Sequence, residues 1–178
     1  MPSVDSIAAG KAAVSQFDTD GDGTIRGDEL AKVPSLKHAL DRVDANGDGA
    51  VSAEEIANRV GQWETMQTGR MAVTCMITKD GQPVHGATVK YVPEAFLGSS
   101  LQTATGVTDE NGLASVSAPT SGNLPPGVAP GFYRVEITME GEVIPAKYNT
   151  GTTLGREVAV DAEGMAQMTH KVTSFQLD

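Results

Sequence analysis

Two stretches of twelve residues, 18–29 and 44–55, repeat one spacing of oxygen-bearing side chains, and little else in the chain constrains the fold as strongly. The first stretch has Asp18, Asp20, Asp22, Gly23, Thr24 and Glu29 at positions 1, 3, 5, 6, 7 and 12; the second has Asp44, Asn46, Asp48, Gly49, Ala50 and Glu55 at the same positions. Glycine at the sixth position allows a bend that a Cβ would obstruct. A hard cation takes 6–8 oxygens at about 2.3–2.6 Å, so ligands must converge from one tightly wound loop, as this spacing allows.

This is the EF-hand pattern, and it implies two calcium sites. The expected ligands are Asp18, Asp20, Asp22, Thr24 and Glu29 in the first loop, and Asp44, Asn46, Asp48, Ala50 and Glu55 in the second. Thr24 and Ala50 would contribute only backbone carbonyls, whereas Glu29 and Glu55 would each clamp the ion with both oxygens. At position 9 the first loop has Arg26, which offers no acceptor and should weaken the site, with Asp28 adding compensating charge. Ser52 is an ordinary water-holding residue at that position of the second loop. Ile25 and Val51, at position 8, are expected to pair as a short ribbon between the loops. Without the ion the carboxylates repel one another, so metal binding is expected to supply much of the folding free energy of this region.

Helical periodicity surrounds the loops. Ile7, Val14 and Phe17 recur at helical spacing, as do Leu36, Leu40 and Val43, and again Ile56, Val60 and Trp63. Pro34 stands where a helix can restart, because its missing N–H costs nothing in a first turn. Helices are expected over about 3–17, 28–33, 34–43 and 53–66, with Trp63 filling the helical core or, as the alternative, anchoring the helical domain to the other. Only Met1 and Met66 occur in this part, which does not provide the methionine-rich groove of a sensor.

From Met71 the period becomes two. Val73, Cys75 and Ile77 alternate with Thr74, Met76 and Thr78, and Tyr133, Val135 and Ile137 alternate with Arg134, Glu136 and Thr138. Asp80-Gly81, Asn111-Gly112, Pro125-Pro126-Gly127 and Glu140-Gly141 supply turns. Six or seven short strands so punctuated point to an antiparallel β-sandwich. The chain therefore reads as α+β with two domains, 1–69 and 70–178, hinged at Thr68-Gly69-Arg70.

Gly81-Gln82-Pro83-Val84-His85-Gly86-Ala87-Thr88-Val89, Gly106-Val107-Thr108-Asp109-Glu110-Asn111-Gly112 and Gly131-Phe132-Tyr133-Arg134-Val135 resemble carboxypeptidase regulatory-like domains. Ile144-Pro145-Ala146-Lys147-Tyr148-Asn149 resembles the ending of a bacterial subgroup of them. The resemblance implies an Ig-like, transthyretin-like sandwich in an exported protein (periplasmic, cell-surface or extracellular), often a lipoprotein. Its targeting segment is expected to lie outside this sequence. Tyr133 is expected to bury its ring while its hydroxyl reaches a loop.

Charge narrows the functions. The chain has 13 Lys+Arg against 23 Asp+Glu, a formal net charge of −10, which repels nucleic acid and anionic membranes. The lone Cys75 excludes an internal disulfide and a zinc site of several thiolates, and no apolar run is long enough to span a membrane. His38, His85 and His170 are scattered, Cys75 reads as a buried small hydrophobe, and Glu94 with Glu136, Glu140 and Glu142 as solvated edges. Lys147 and Tyr148 read as a loop brace. The expectation is a non-enzymatic, calcium-stabilised binding or structural protein, its sandwich displaying a surface to a protein or envelope polymer. The alternatives are a calcium sensor or buffer relaying to the sandwich, a hydrolase-like activity on the transthyretin-like domain, and self-assembly through edge strands.

Overall fold

The computed structural model of the chain describes residues 3–67, 69–120, 125–162 and 172–178. Thr68 of the expected hinge and His170 lie outside them.

The helical part runs α1 (Ser6–Phe17), β1 (Thr24–Ile25), α2 (Gly27–Ala31), α3 (Pro34–His38), α4 (Leu40–Val43), β2 (Val51–Ser52) and α5 (Ala53–Thr65). Asp5 starts α1 by accepting the Ala8 N–H at 2.9 Å, and Ser52 caps α5 through the Glu55 N–H at 3.3 Å. The helix expected over 34–43 is broken in two at Ala39, whose φ of −93° and ψ of 8° leave the α region. Ile25 pairs with Val51 and Thr24 with Ser52, antiparallel, so the expected ribbon joins the loops. The buried face of α1 differs from the one its apolar spacing suggests. Ile7 is 63% exposed, and Ala9, Gly10 and Ala13 face inward instead. The backbones explain this, because a Cβ on Gly10 would run into the Ala53 carbonyl, so α1 crosses α5 too closely for larger side chains.

Among the described residues eight strands follow: β3 (Val73–Lys79), β4 (Gln82–Pro83), β5 (Ala87–Pro93), β6 (Ala104–Val107), β7 (Leu113–Val116), β8 (Gly131–Met139), β9 (Gly155–Val158) and β10 (Thr173–Leu177). One sheet is built on β3, which pairs with β10 and with β4 and β7; the second has the order β6-β5-β8-β9. Asp80 and Gly81, at φ of 51° and 75°, make the tight turn that lets the short β4 fold back on β3. Among the described residues pairing is antiparallel with one exception. β10 runs parallel to β3, from Thr173 opposite Cys75 to Leu177 opposite Lys79. The two are far apart in sequence, so no hairpin imposes the antiparallel direction expected for the whole β half.

Alternation places Val73, Cys75 and Ile77 of one sheet, and Val89, Tyr91, Tyr133, Val135 and Ile137 of the other, in a common buried core. The Tyr91 and Tyr133 rings lie 6.0 Å apart, and the Tyr133 hydroxyl donates to the Ala129 carbonyl at 2.9 Å, as its position suggests. Arg156 of β9 stands 4.7 Å over the Phe175 ring of β10. Lys147 pairs with Asp178 at 2.6 Å and the Tyr148 hydroxyl accepts the Asp178 N–H at 3.1 Å, bracing the final strand.

The helices cover part of the opposite face of the second sheet, and one hydrophobic cluster runs through both halves. Trp63 does not simply fill the helical core: its ring meets Phe132 of β8 at 4.8 Å and its Nε1 donates to Glu157 of β9 at 3.0 Å. Phe17 meets Phe96 at 6.4 Å. Glu94, expected at a solvated edge, is buried and accepts a 2.7 Å hydrogen bond from Ser35 of α3. Burial pushes its carboxyl above the ordinary range, with Ser35 and Arg134 partly opposing the shift. Gly155 sits directly beneath the Pro34–Ser35 backbone, where a Cβ would overlap main-chain atoms.

The close approach at Gly155 gives a stability prediction. Gly155→Ala should lower unfolding free energy in urea by about 1–3 kcal/mol, the usual cost of overpacking. Gly61→Ala, in open space on α5, should raise it by about 0.5–1 kcal/mol.

Candidate metal centre

Each loop is wound on its own carboxylates, and the two are wound alike. Asp18 ends α1 and accepts the N–H groups of Gly21 and Gly23 at 2.7 and 2.8 Å. Asp44 ends α4 and accepts those of Gly47 and Gly49 at 2.7 and 2.8 Å. The side chains at position 3 receive the N–H of position 5: Asp20 from Asp22 at 3.1 Å, Asn46 from Asp48 at 2.9 Å. Those at position 5 receive the N–H of position 7: Asp22 from Thr24 and Asp48 from Ala50, both at 2.9 Å. Gly23 and Gly49, at φ of 88° and 80°, adopt the left-handed backbone that the bend requires.

Glu29 and Glu55 close the loops. Glu29 Oε1 accepts the Thr19 N–H at 2.5 Å and the Thr19 hydroxyl at 2.8 Å; Glu55 Oε1 accepts the Ala45 N–H at 3.1 Å. Their other oxygens reach back to the N–H of position 9, Arg26 at 3.4 Å and Ser52 at 2.9 Å. The Thr19 backbone and hydroxyl bonds hold the Glu29 carboxyl down at about 2, so it is ionised at neutral pH. The sequence did not single out Thr19; a hydroxyl directly after the first aspartate is its only signal.

Position 9 makes a direct side-chain contact within each loop. Arg26 does more than dilute negative charge: its guanidinium pairs with Asp22 at 2.5 Å, engaging a candidate ligand directly. The four-residue spacing of the two was the available clue. The Ser52 hydroxyl, read as a holder of water, donates to Glu55 Oε2 at 2.8 Å.

The donor set suits a hard cation. Asp18, Asp20 and Asp22 each present a carboxylate oxygen, and these lie within 4.8 Å of one another. Such crowding of negative charge favours a multivalent cation over water. In the second loop Asp44 and Asp48 flank Asn46, whose amide donates to Asp48 at 2.8 Å.

Other reactive residues have ordinary surroundings. Cys75 is fully buried in β3, with its Sγ 3.8 Å from the Ala114 carbonyl oxygen, and burial pushes its thiol up to about 12. His85 is exposed before β5, and His38 ends α3 in the helical half. Among the described residues, no helix is long and apolar enough to cross a membrane. The native protein should therefore leave Cys75 unmodified by an aromatic disulfide reagent at pH 8, with one thiol released per chain on denaturation; rapid native labelling would contradict its burial.

A family model described as EF hand matches residues 12–34 and 36–60. No curated protein and no solved structure matches the chain. The match spans both loops and parts of their flanking helices, so an EF-hand region supporting calcium binding stands at the N-terminal end of a chain that is otherwise β-rich.

Proposed function

We propose that the protein binds two calcium ions and acts without catalysis, as a binding or structural component of the cell envelope or extracellular space. The ions order the helical half beside an interaction domain of the carboxypeptidase regulatory-like, transthyretin-like sandwich type. The observation that carries this reading is the position-by-position match of the two loops, in side-chain acceptors and in the N–H groups they receive. Asp18, Asp20, Asp22 and Glu29 would hold the first ion with the Thr24 carbonyl. Asp44, Asn46, Asp48 and Glu55 would hold the second with the Ala50 carbonyl. The ion neutralises carboxylates that otherwise repel one another, and each loop turns that charge into rigidity.

A constitutive role is favoured over a switch by the junction. A sensor opens a helix pair to expose an apolar groove. Here Trp63, Leu36 and Val43 are buried in a cluster shared with the strands, and opening would have to expose them. The sandwich type is supported by eight strands in two sheets and by the motif residues at 81–89, 106–112 and 131–135. In an exported location, extracellular calcium would occupy these loops even at modest affinity.

Titration calorimetry tests the proposal. The wild type should take up two ions with dissociation constants of roughly 10⁻⁵ to 10⁻³ M, and the Glu29→Gln, Glu55→Gln double variant should take up none. At a hundredfold excess over its dissociation constant, each ion should add about 2.7 kcal/mol to stability, read as a rise in melting temperature that a chelator reverses. Absence of both heat and stabilisation would refute calcium binding. Much tighter binding would favour the sensor or buffer.

A further inference from the structure

The second loop is held from both ends by one residue of the β half. Arg42 lies in α4, two residues before Asp44, and Arg59 lies in α5, four after Glu55. Their guanidinium groups converge on Glu157 of β9, whose side chain is wholly buried. Arg42 Nε meets Glu157 Oε2 at 2.8 Å, and Arg59 Nε meets Oε1 at 2.6 Å. Trp63 Nε1 donates to the same Oε1 at 3.0 Å. Just beyond β9, Asp161 takes the far side of Arg59 through two hydrogen bonds, at 2.9 and 2.7 Å. Burial alone would favour loss of the Arg59 proton; the bonds to Asp161 and Glu157 outweigh it and keep the guanidinium charged.

A buried ion pair contributes little net stability compared with apolar packing, because dehydrating both charges is costly. What it does impose is geometry: bonds at fixed atoms, intolerant of sliding. Those bonds fix α4 and α5, the elements that present Asp44 and Glu55 at opposite ends of the loop. Among the described residues the first loop has no equivalent tie. α1 meets the β half through the Phe17 and Phe96 rings, and no ion pair joins α2 to a strand among the described residues.

We propose that Glu157 is a positioning residue for the second calcium loop: by gripping the entering and exiting helices at one carboxylate, the β half sets the spacing of Asp44 and Glu55. The proposal rests on the reading of loop 44–55 as a calcium site. Ion binding there and docking of the two halves then reinforce each other, and by linkage the effect is the same in both directions. Calcium at the second loop thus acts as a fastener of the β half, whereas calcium at the first loop orders its own surroundings.

The test uses the full chain. In a Glu29→Gln background the heat of calcium titration reports the second loop alone, and in a Glu55→Gln background the first. Adding Glu157→Gln should weaken second-loop affinity about five- to fiftyfold, within the usual range of coupling between sites, and change first-loop affinity less than about twofold. Arg42→Gln, which leaves the Arg59–Glu157 pair in place, should weaken the second loop in the same direction by a smaller factor. It carries the test should Glu157→Gln fail to fold. In both variants, calcium should raise the melting temperature less than in the background protein. A purely structural role would lower the calcium-free melting temperature and leave second-loop affinity unchanged, which would overturn the coupling. Equal weakening of both loops would overturn it too, by assigning the effect to general loosening. No heat from the second loop in the Glu29→Gln protein would overturn the calcium reading of that loop, and this proposal with it.

Discussion

Glu157 is a carboxylate placed where no water reaches it, and its neighbours are arranged accordingly. A charge so buried must be met by opposite charge and by hydrogen-bond donors, or it destabilises the fold by several kcal/mol. Arg59 and Arg42 supply the charge and Trp63 an N–H, and each comes from the helical half. Apolar contacts then fill the rest of the boundary: Trp63 on Phe132, Phe96 on Phe17, and the Pro34–Ser35 backbone on Gly155. The order of dependence runs from polar to apolar. Hydrophobic surfaces tolerate many relative placements, but this network of bonds tolerates few.

The loops solve a related problem at the surface. Each carries several carboxylates within one turn of chain, and each spends its backbone N–H groups on them. The carboxylates at positions 1 and 12 receive several donors each, which orients their oxygens before any ion arrives. Preorganisation of this kind reduces the ordering cost of binding. Arg26 is the exception, since its guanidinium pairs with Asp22 and so competes with an ion for one oxygen of that carboxylate. The loops therefore differ in character: one is tuned by a local cation, the other is held by a distant carboxylate.

The sequence disclosed the loops, the change of period near Met71, the ribbon at Ile25 and Val51, and the faces of β3, β5 and β8, because each depends on local spacing. It left the junction open, with Trp63 as either a core filler or an anchor between the halves. Trp63 sits on an apolar stripe with Ile56 and Val60, and periodicity cannot say whether such a stripe meets helices or strands. Arg59 falls on that same stripe, and a cation among buried apolar positions was the one available hint of a buried acid. Glu94 looked like an edge residue because burial by a segment 59 residues earlier in the chain leaves no local trace. Ile7 misled for a related reason: Gly10 lets two backbones approach, and that closeness excludes the larger side chain. The parallel pairing of β10 with β3 is likewise set by tertiary contact, as no turn links the two.

The separation of Arg59 from Glu157, 98 residues, bears on how the protein is made. Synthesis proceeds from the N-terminal end, and early segments fold while later ones are still being added. Both EF-hand loops emerge well before β9 exists. During that interval Arg59 lacks its acid and Trp63 its aromatic neighbour, so the nascent helical half presents a cation and an apolar face to its surroundings. That cation and that face keep their exposure until β9 arrives, so the joining of the two halves falls among the last steps of assembly, after the loops that it braces have already been made.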